Sequence, residues 1–159
     1  MPHKIIQYCF SLGLSSLALL VPCHAGLPPA TLHPILVKVE DCLKKNESTA
    51  GQNQCLQEEL KDWDTELNKV YTQLMGTLTS QKIKDSLKAS QQAWLTFRDK
   101  EFAFLRAYYS QQQGTIWSIV AGKALAAIVK DRVKELYETL ESLDMSGDSS
   151  KNYTFENPS

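Results

Sequence analysis

The chain has 159 residues, with 17 Lys and Arg against 18 Asp and Glu, a formal charge of −1 at pH 7, and 43% apolar residues. That balance, without a basic stripe interleaved with aromatics, argues against a nucleic-acid partner. The length argues for one domain with a core of its own.

The first residues read as an export signal. Lys4 precedes an apolar run from Phe10 to Val21, and Pro22-Cys23-His24-Ala25 follows. A charged start, an apolar centre and a small residue before the cut make a secretory signal peptide, so residues 1–25 are expected to be removed after Ala25 and the product to be periplasmic or secreted. The apolar run is too short to span a bilayer, so the processed form is not expected to cross a membrane. Pro22 stands where a lipoprotein signal needs a small residue before its cysteine, which disfavours lipidation. Losing Lys4 leaves 16 basic against 18 acidic side chains in 134 residues, a charge of −2.

Residues 26–33 form an N-terminal extension. Proline is tolerated at the first helical position, where its missing N–H is not required, so Pro34 can begin a short leading helix that carries Cys42. Cys42 and Cys55 both survive signal removal, and an oxidising compartment favours their pairing across a short loop containing Ser48, Thr49, Gly51 and Asn53. Closing a loop of about 14 residues stabilises a fold by roughly 3 kcal/mol in the chain-entropy model. A metal site is the weaker alternative: His33 is the one histidine left after processing, and two cysteines so spaced make no zinc motif.

Three apolar series with helical spacing follow. Leu56, Leu60, Trp63, Leu67, Val70, Leu74 and Leu78 mark one face of a first long helix. Ile83, Leu87, Trp94, Phe97, Phe104 and Tyr108 mark a second, and Val129, Val133, Leu136, Leu140 and Leu143 a third. Thr77, Thr79 and Ser80 offer an N-cap before the second helix, while Gly114-Thr115 offers a C′ glycine and then a cap before the third. Short connections imply antiparallel neighbours. The expected fold is all-α, an antiparallel bundle of three long helices with a short leading helix stapled by a disulfide, over residues 34–145. Residues 146–159 are rich in Ser, Asp and Asn and are expected to form a disordered tail. Asp144, Ser146, Asp148, Ser150 and Asn152 alternate like calcium ligands, but Ser149 replaces the turn glycine and Phe155 the bidentate glutamate. No metal or cofactor is expected.

Polar residues on the second long helix need partners. Gln91, Trp94 and Arg98 are spaced at three and four and share one side, with Glu101 three residues on. Ser90 and Glu101 fall in the seven-residue alternation that holds Leu87, Trp94, Phe97 and Phe104, so a carboxylate is carried toward the apolar seam. Arg98, Arg132 or the amide of Asn68 would satisfy Glu101 or Asp99, and losing Arg98 from such a site would cost about 3 kcal/mol. A clasp that pins helix register is preferred to a ligand site. Asp99 and Glu101 point in different directions, without a supporting histidine or serine, so no enzyme is expected.

The connection from Tyr108 to Trp117 concentrates aromatics, hydroxyls, amides and glycine, a mixture that binding loops favour. Tyr109, Ser110, Gln112 and Trp117 are its candidate binding residues. The competing reading is an ordinary helix end whose aromatics pack inward, since Tyr108 continues the apolar series.

Leu67-Asn68-x-x-Tyr71-x-x-Leu74, then Gln91-x-x-Trp94-x-x-Phe97-Arg98-Asp99, together with Asp41-Cys42, Cys55 and Arg132-x-x-x-Leu136, resembles the signature of the lysozyme-inhibitor LprI-like family of small exported bacterial proteins. The resemblance runs from Cys42 to Leu143. It implies a protein partner, a lysozyme-type muramidase inhibited by occlusion of its cleft. It also makes Asn68, Tyr71, Gln91, Trp94, Arg98, Asp99, Glu101 and Arg132 motif positions, which the residues themselves present as structural. Family members usually carry a cysteine after the Arg-Asp segment and another shortly before the final arginine; Phe102 and Ala124 stand there. The alternative readings are a non-inhibitory envelope interaction module, which a large exposed apolar stripe would favour, and a toxin-immunity protein.

Overall fold

The computed structural model describes residues 31–143 and 153–156. In chain order it contains β1 (Thr31–Leu32), α1 (Pro34–Lys45), α2 (Thr49–Thr77), α3 (Gln81–Ser110), α4 (Ile116–Leu143) and β2 (Tyr153–Thr154). The expected signal peptide and the calcium-like run from Asp144 to Asn152 lie outside the described residues.

Local chemistry sets most of the helix ends. Pro34 opens α1, and His33 caps it by accepting from the Ile35 N–H on Nδ1 at 3.3 Å. Ser48 caps α2 by accepting from the Gly51 N–H at 3.1 Å. A Cβ on Gly51 would come within 2.9 Å of the Asn46 Cβ, so this start is closed to larger residues. Ser80 occupies the N-cap position of α3 without a side-chain capping bond. Gly114 adopts a φ of 99° in the turn after α3, a conformation that glycine reaches without strain.

The disulfide joins Cys42 to Cys55. The segment between them is less of a loop than expected: α2 already begins at Thr49, so Thr49, Gly51 and Asn53 are helical and the bridge staples one helix to the next.

The most extensive packing is between α2 and α4, which are not consecutive in the chain. They run in the same direction, with the Asn53 Nδ2 donating to the Ser118 Oγ at 2.8 Å and Leu56 lying against Gly122. Trp63, Val70, Leu74, Val129 and Val133 are fully enclosed at this seam, and each such aliphatic side chain contributes about 1.5–3 kcal/mol. The first and third apolar series therefore meet each other, apart from Leu143, which is exposed at the end of α4.

The second series behaves differently. Leu87 and Trp94 are half-buried against the core, but Ile83, Phe97, Phe104 and Tyr108 are exposed. The face of α3 that turns inward carries Gln91 and Phe102, with Leu105 partly buried. As an outer helix, α3 packs chiefly on α4 and needs only one apolar stripe, yet its sequence supplies two. Periodicity detects such stripes without deciding which one meets a neighbour.

The tail also departs from expectation. Of residues 146–159, the described part returns to the domain: β2 pairs in parallel with β1, Thr31 beside Tyr153 and Leu32 beside Thr154, and Phe155 is buried in the core. A polar composition around it concealed one aromatic anchor. The Phe155 ring lies 5.2 Å from His33 and 6.2 Å from Trp63, and His33 lies 4.8 Å from Trp63 and 5.0 Å from Tyr153. The His33 N–H donates to the Thr154 carbonyl at 3.0 Å. Both ends of the described domain thus close over Trp63.

Across α3 and its neighbours, two guanidinium groups bracket one indole. Arg98 lies 5.6 Å from the Trp94 ring centre and Arg132 lies 5.9 Å from it. Arg132 donates from Nε to the Gln91 Oε1 at 3.1 Å, from Nη2 to the Ser90 Oγ at 3.2 Å and from Nη1 to Glu135 at 2.9 Å. Arg98 donates to Asp99 at 2.8 Å and to Asp64 of α2 at 3.3 Å. The expected partnership with Glu101 is not formed: Glu101 is half-exposed, and among the described residues it makes no ion pair. Asn68 instead donates to the Asp64 carbonyl on its own helix. Phe102, where the resemblance places a cysteine, is buried with Arg98 and Arg106 at 5.8 and 5.4 Å from its ring, and Ala124 is half-buried on α4.

Two outcomes follow from these contacts. Burial holds the His33 imidazole below its ordinary value of 6.5, and Lys69 adds to that effect while Glu66 opposes it. The unfolded chain then takes up the proton first. The stabilisation associated with neutral His33 is complete above pH 6.5 and declines as pH falls from there through the lowered folded value. Thermal melts should show an acid-side loss that His33→Asn reduces, since asparagine keeps a capping acceptor without titrating in this range. Arg98→Ala should lower stability by about 1–2 kcal/mol in denaturant titrations, less than the loss from a buried carboxylate site, because Asp64 and Asp99 are 42% and 66% exposed and solvent screens both pairs.

Candidate functional site

The four candidate binding residues share one cleft. Tyr109 and Ser110 end α3, Gln112 lies in the connection and Trp117 begins α4, and all of them line a cavity of about 620 Å³ between these segments and the first half of α2. Leu56 and Leu125 are buried at its apolar base, while Gly122 belongs to the same wall. A Cβ on Gly122 would meet the Leu56 side chain at 3.1 Å, so the absence of a side chain there allows α4 to approach α2 closely beside the cleft.

An aromatic ladder leads into this site. Phe104 stacks on Tyr108 at 6.1 Å, Tyr108 meets Tyr109 edge-on at 5.1 Å, and Tyr109 stacks on Trp117 at 5.9 Å. The inward and outward readings of the connection are therefore divided between neighbours: Tyr109 and Trp117 are half-buried, while Tyr108 and Ile116 are exposed. The Ser110 hydroxyl donates to the Ala107 carbonyl at 2.9 Å, and the Gln112 amide approaches the Tyr108 carbonyl at 3.5 Å, so both are engaged at the helix end.

Three polar residues of the cleft did not emerge from the connection itself. Arg106 precedes Tyr109 by one helical step of three, a spacing that could have included it. Among the described residues its guanidinium makes no ion pair and lies over Phe102. Asn53 and Gln57 arrive from α2, and only the tertiary arrangement brings them here. Asn53 is already bonded to Ser118, whereas Gln57 is exposed. The cleft can offer stacking area, a cation and amides. Among the described residues no three His, Cys, Asp or Glu side chains converge as a metal ion would require, and no helix is long and apolar enough to cross a membrane.

The motif residues gather elsewhere. Gln91, Trp94, Arg98 and Arg132 form the clasp, with Asp99 on its exposed side; Tyr71 packs partly against the core, and Asn68 and Glu101 take no part in the clasp.

The fold is shared by an uncharacterized protein of Burkholderia thailandensis whose crystal structure superimposes with a TM-score of 0.67 and is 28% identical. The match covers 72% of this chain but 57% of that one, so the chain spans little more than half of the protein it resembles. No match was found among curated proteins. A family model described as lysozyme inhibitor LprI matches residues 42–136, from the first disulfide cysteine through the clasp to Leu136. With that match extending over more than half of its length, the chain belongs to the LprI lysozyme-inhibitor family.

Proposed function

We propose that the chain is an exported inhibitor of a lysozyme-type muramidase and that the end of α3 and the start of α4 supply its contact surface. Family membership carries the activity class. The aromatic ladder and Arg106, which makes no ion pair among the described residues, support the location. Muramidase clefts work with a pair of carboxyl groups, and a guanidinium beside exposed aromatic area suits such an acidic groove in both charge and shape. The candidate residues rim a concavity instead of forming a plug, so in this reading Tyr108 and Ile116 cover the groove while the cleft receives one of its edges. No catalytic group is required of an occluding protein.

A second reading rests on the exposed stripe of α3. Phe97, Phe104 and Tyr108 form the kind of apolar face that an envelope interaction module would use to bind another protein without inhibiting an enzyme.

The two readings separate in a peptidoglycan lysis assay. Processed protein at micromolar concentration should slow at least one lysozyme class. Replacing Tyr109 and Gln112 together by alanine should weaken inhibition about tenfold or more while thermal melting still reports a folded bundle. Arg106→Ala should reduce the association rate and its salt dependence. Absence of inhibition against every class would leave the interaction-module reading, and normal inhibition by the double variant would move the contact surface away from this cleft.

A further inference from the structure

We infer that two copies of this chain associate through the outer faces of α3, antiparallel, about a two-fold axis between Lys100 and Glu101. Phe97, Phe104 and Tyr108 are 53%, 58% and 50% exposed. At about 100° per residue they share one side of the helix with Ala93, Lys100 and Glu101. This side lies roughly 130° around the helix from the inward face that carries Gln91 and Phe102, and Ala93, Phe97, Lys100, Phe104 and Tyr108 on it are exposed. Lys100 and Glu101 make no ion pair among the described residues either.

The order of these residues fits a copy of itself. A two-fold interface sets one patch against the same patch reversed. With the axis at the Lys100–Glu101 peptide, Phe97 faces Phe104 of the second copy, Lys100 faces Glu101, and the small Ala93 faces the large Tyr108, with each pair occurring twice. Parallel pairing in register would oppose Lys100 to Lys100 and Glu101 to Glu101. Antiparallel pairing thus satisfies charge and volume together.

The available area sets the strength. Six half-exposed rings contribute about 600 Å². The alanines and the lysine stems along a helix overlap of about 30 Å bring the total toward the roughly 1,200 Å² where specific pairing begins, which fits a weak, concentration-dependent dimer. The interface uses Tyr108 at the edge of the cleft, and Tyr109, about 100° further around α3, lies beside it. The dimer and the proposed muramidase contact share Tyr108, so the two associations compete for it, and the sedimentation test reads the dimer alone.

Sedimentation velocity of processed protein over micromolar to millimolar concentrations tests it. The expected result is a monomer–dimer equilibrium that Lys100→Glu or Glu101→Lys alone weakens about tenfold, while the double exchange restores it to within about threefold. Both side chains are at least partly exposed, and circular dichroism checks that each variant is folded. A chain that stays monomeric to millimolar concentration would overturn the inference. Dimers that are indifferent to the single reversals, or that the double exchange does not restore, would also overturn it.

Discussion

The seam between α2 and α4 is the contact on which the rest of the structure depends. Trp63, Val70 and Leu74 from one helix and Val129 and Val133 from the other exclude water almost completely, and the remaining elements are attached to this pair. The α1 helix is stapled to the start of α2 by the disulfide. The two short strands close over Trp63 through His33 and Phe155. Where Gly122 lets the seam narrow against Leu56, the same pair supplies the base of the cleft. The site is therefore positioned by the best-packed part of the molecule, although the connection that rims it is exposed.

The α3 helix is held by different chemistry. It buries few apolar side chains, and its inward face is secured by Trp94 between two guanidinium groups, with Gln91 bonded to Arg132 and Arg98 reaching across to Asp64. Such contacts are directional, so they specify the rotation of the helix as well as its proximity. This explains how a helix with two apolar stripes presents one of them to solvent. Phe102, standing where the resemblance leads one to expect a cysteine, is buried beneath two arginines and adds packing and cation–π attraction to the same face.

Much of the fold was legible in the sequence because its signals are local. Helical spacing located three long helices, Pro34 located the leading one, and two cysteines in a chain expected to be exported located the staple. The series on α2 and on the second half of α4 as far as Leu136 identified buried faces, whereas Ile119, Leu125 and Ala126 in the first half of α4 were not part of any series. The connection from Tyr108 to Trp117 stood out by composition, and its four candidate residues do share a cleft.

What the sequence left undecided depends on partners distant in the chain. A seven-residue alternation placed Phe97, Phe104 and Glu101 toward the core, and only the packing of α3 on α4 shows that the inward face is the one with Gln91 and Phe102. Arg98 was recognisable as a partner for Asp99, which it meets, but its second acid, Asp64, lies 34 positions earlier and no local pattern connects them. Phe155 sits in a segment whose composition suggests disorder, yet one ring against His33 and Trp63 is enough to bring it into the core. Sequence determined which segments are helical and which family they form, because periodicity and motif spacing are properties of neighbours along the chain. Tertiary structure alone decided which stripe is covered, which acid meets which base and where the cleft opens, because those outcomes depend on the competition among surfaces for the same buried space.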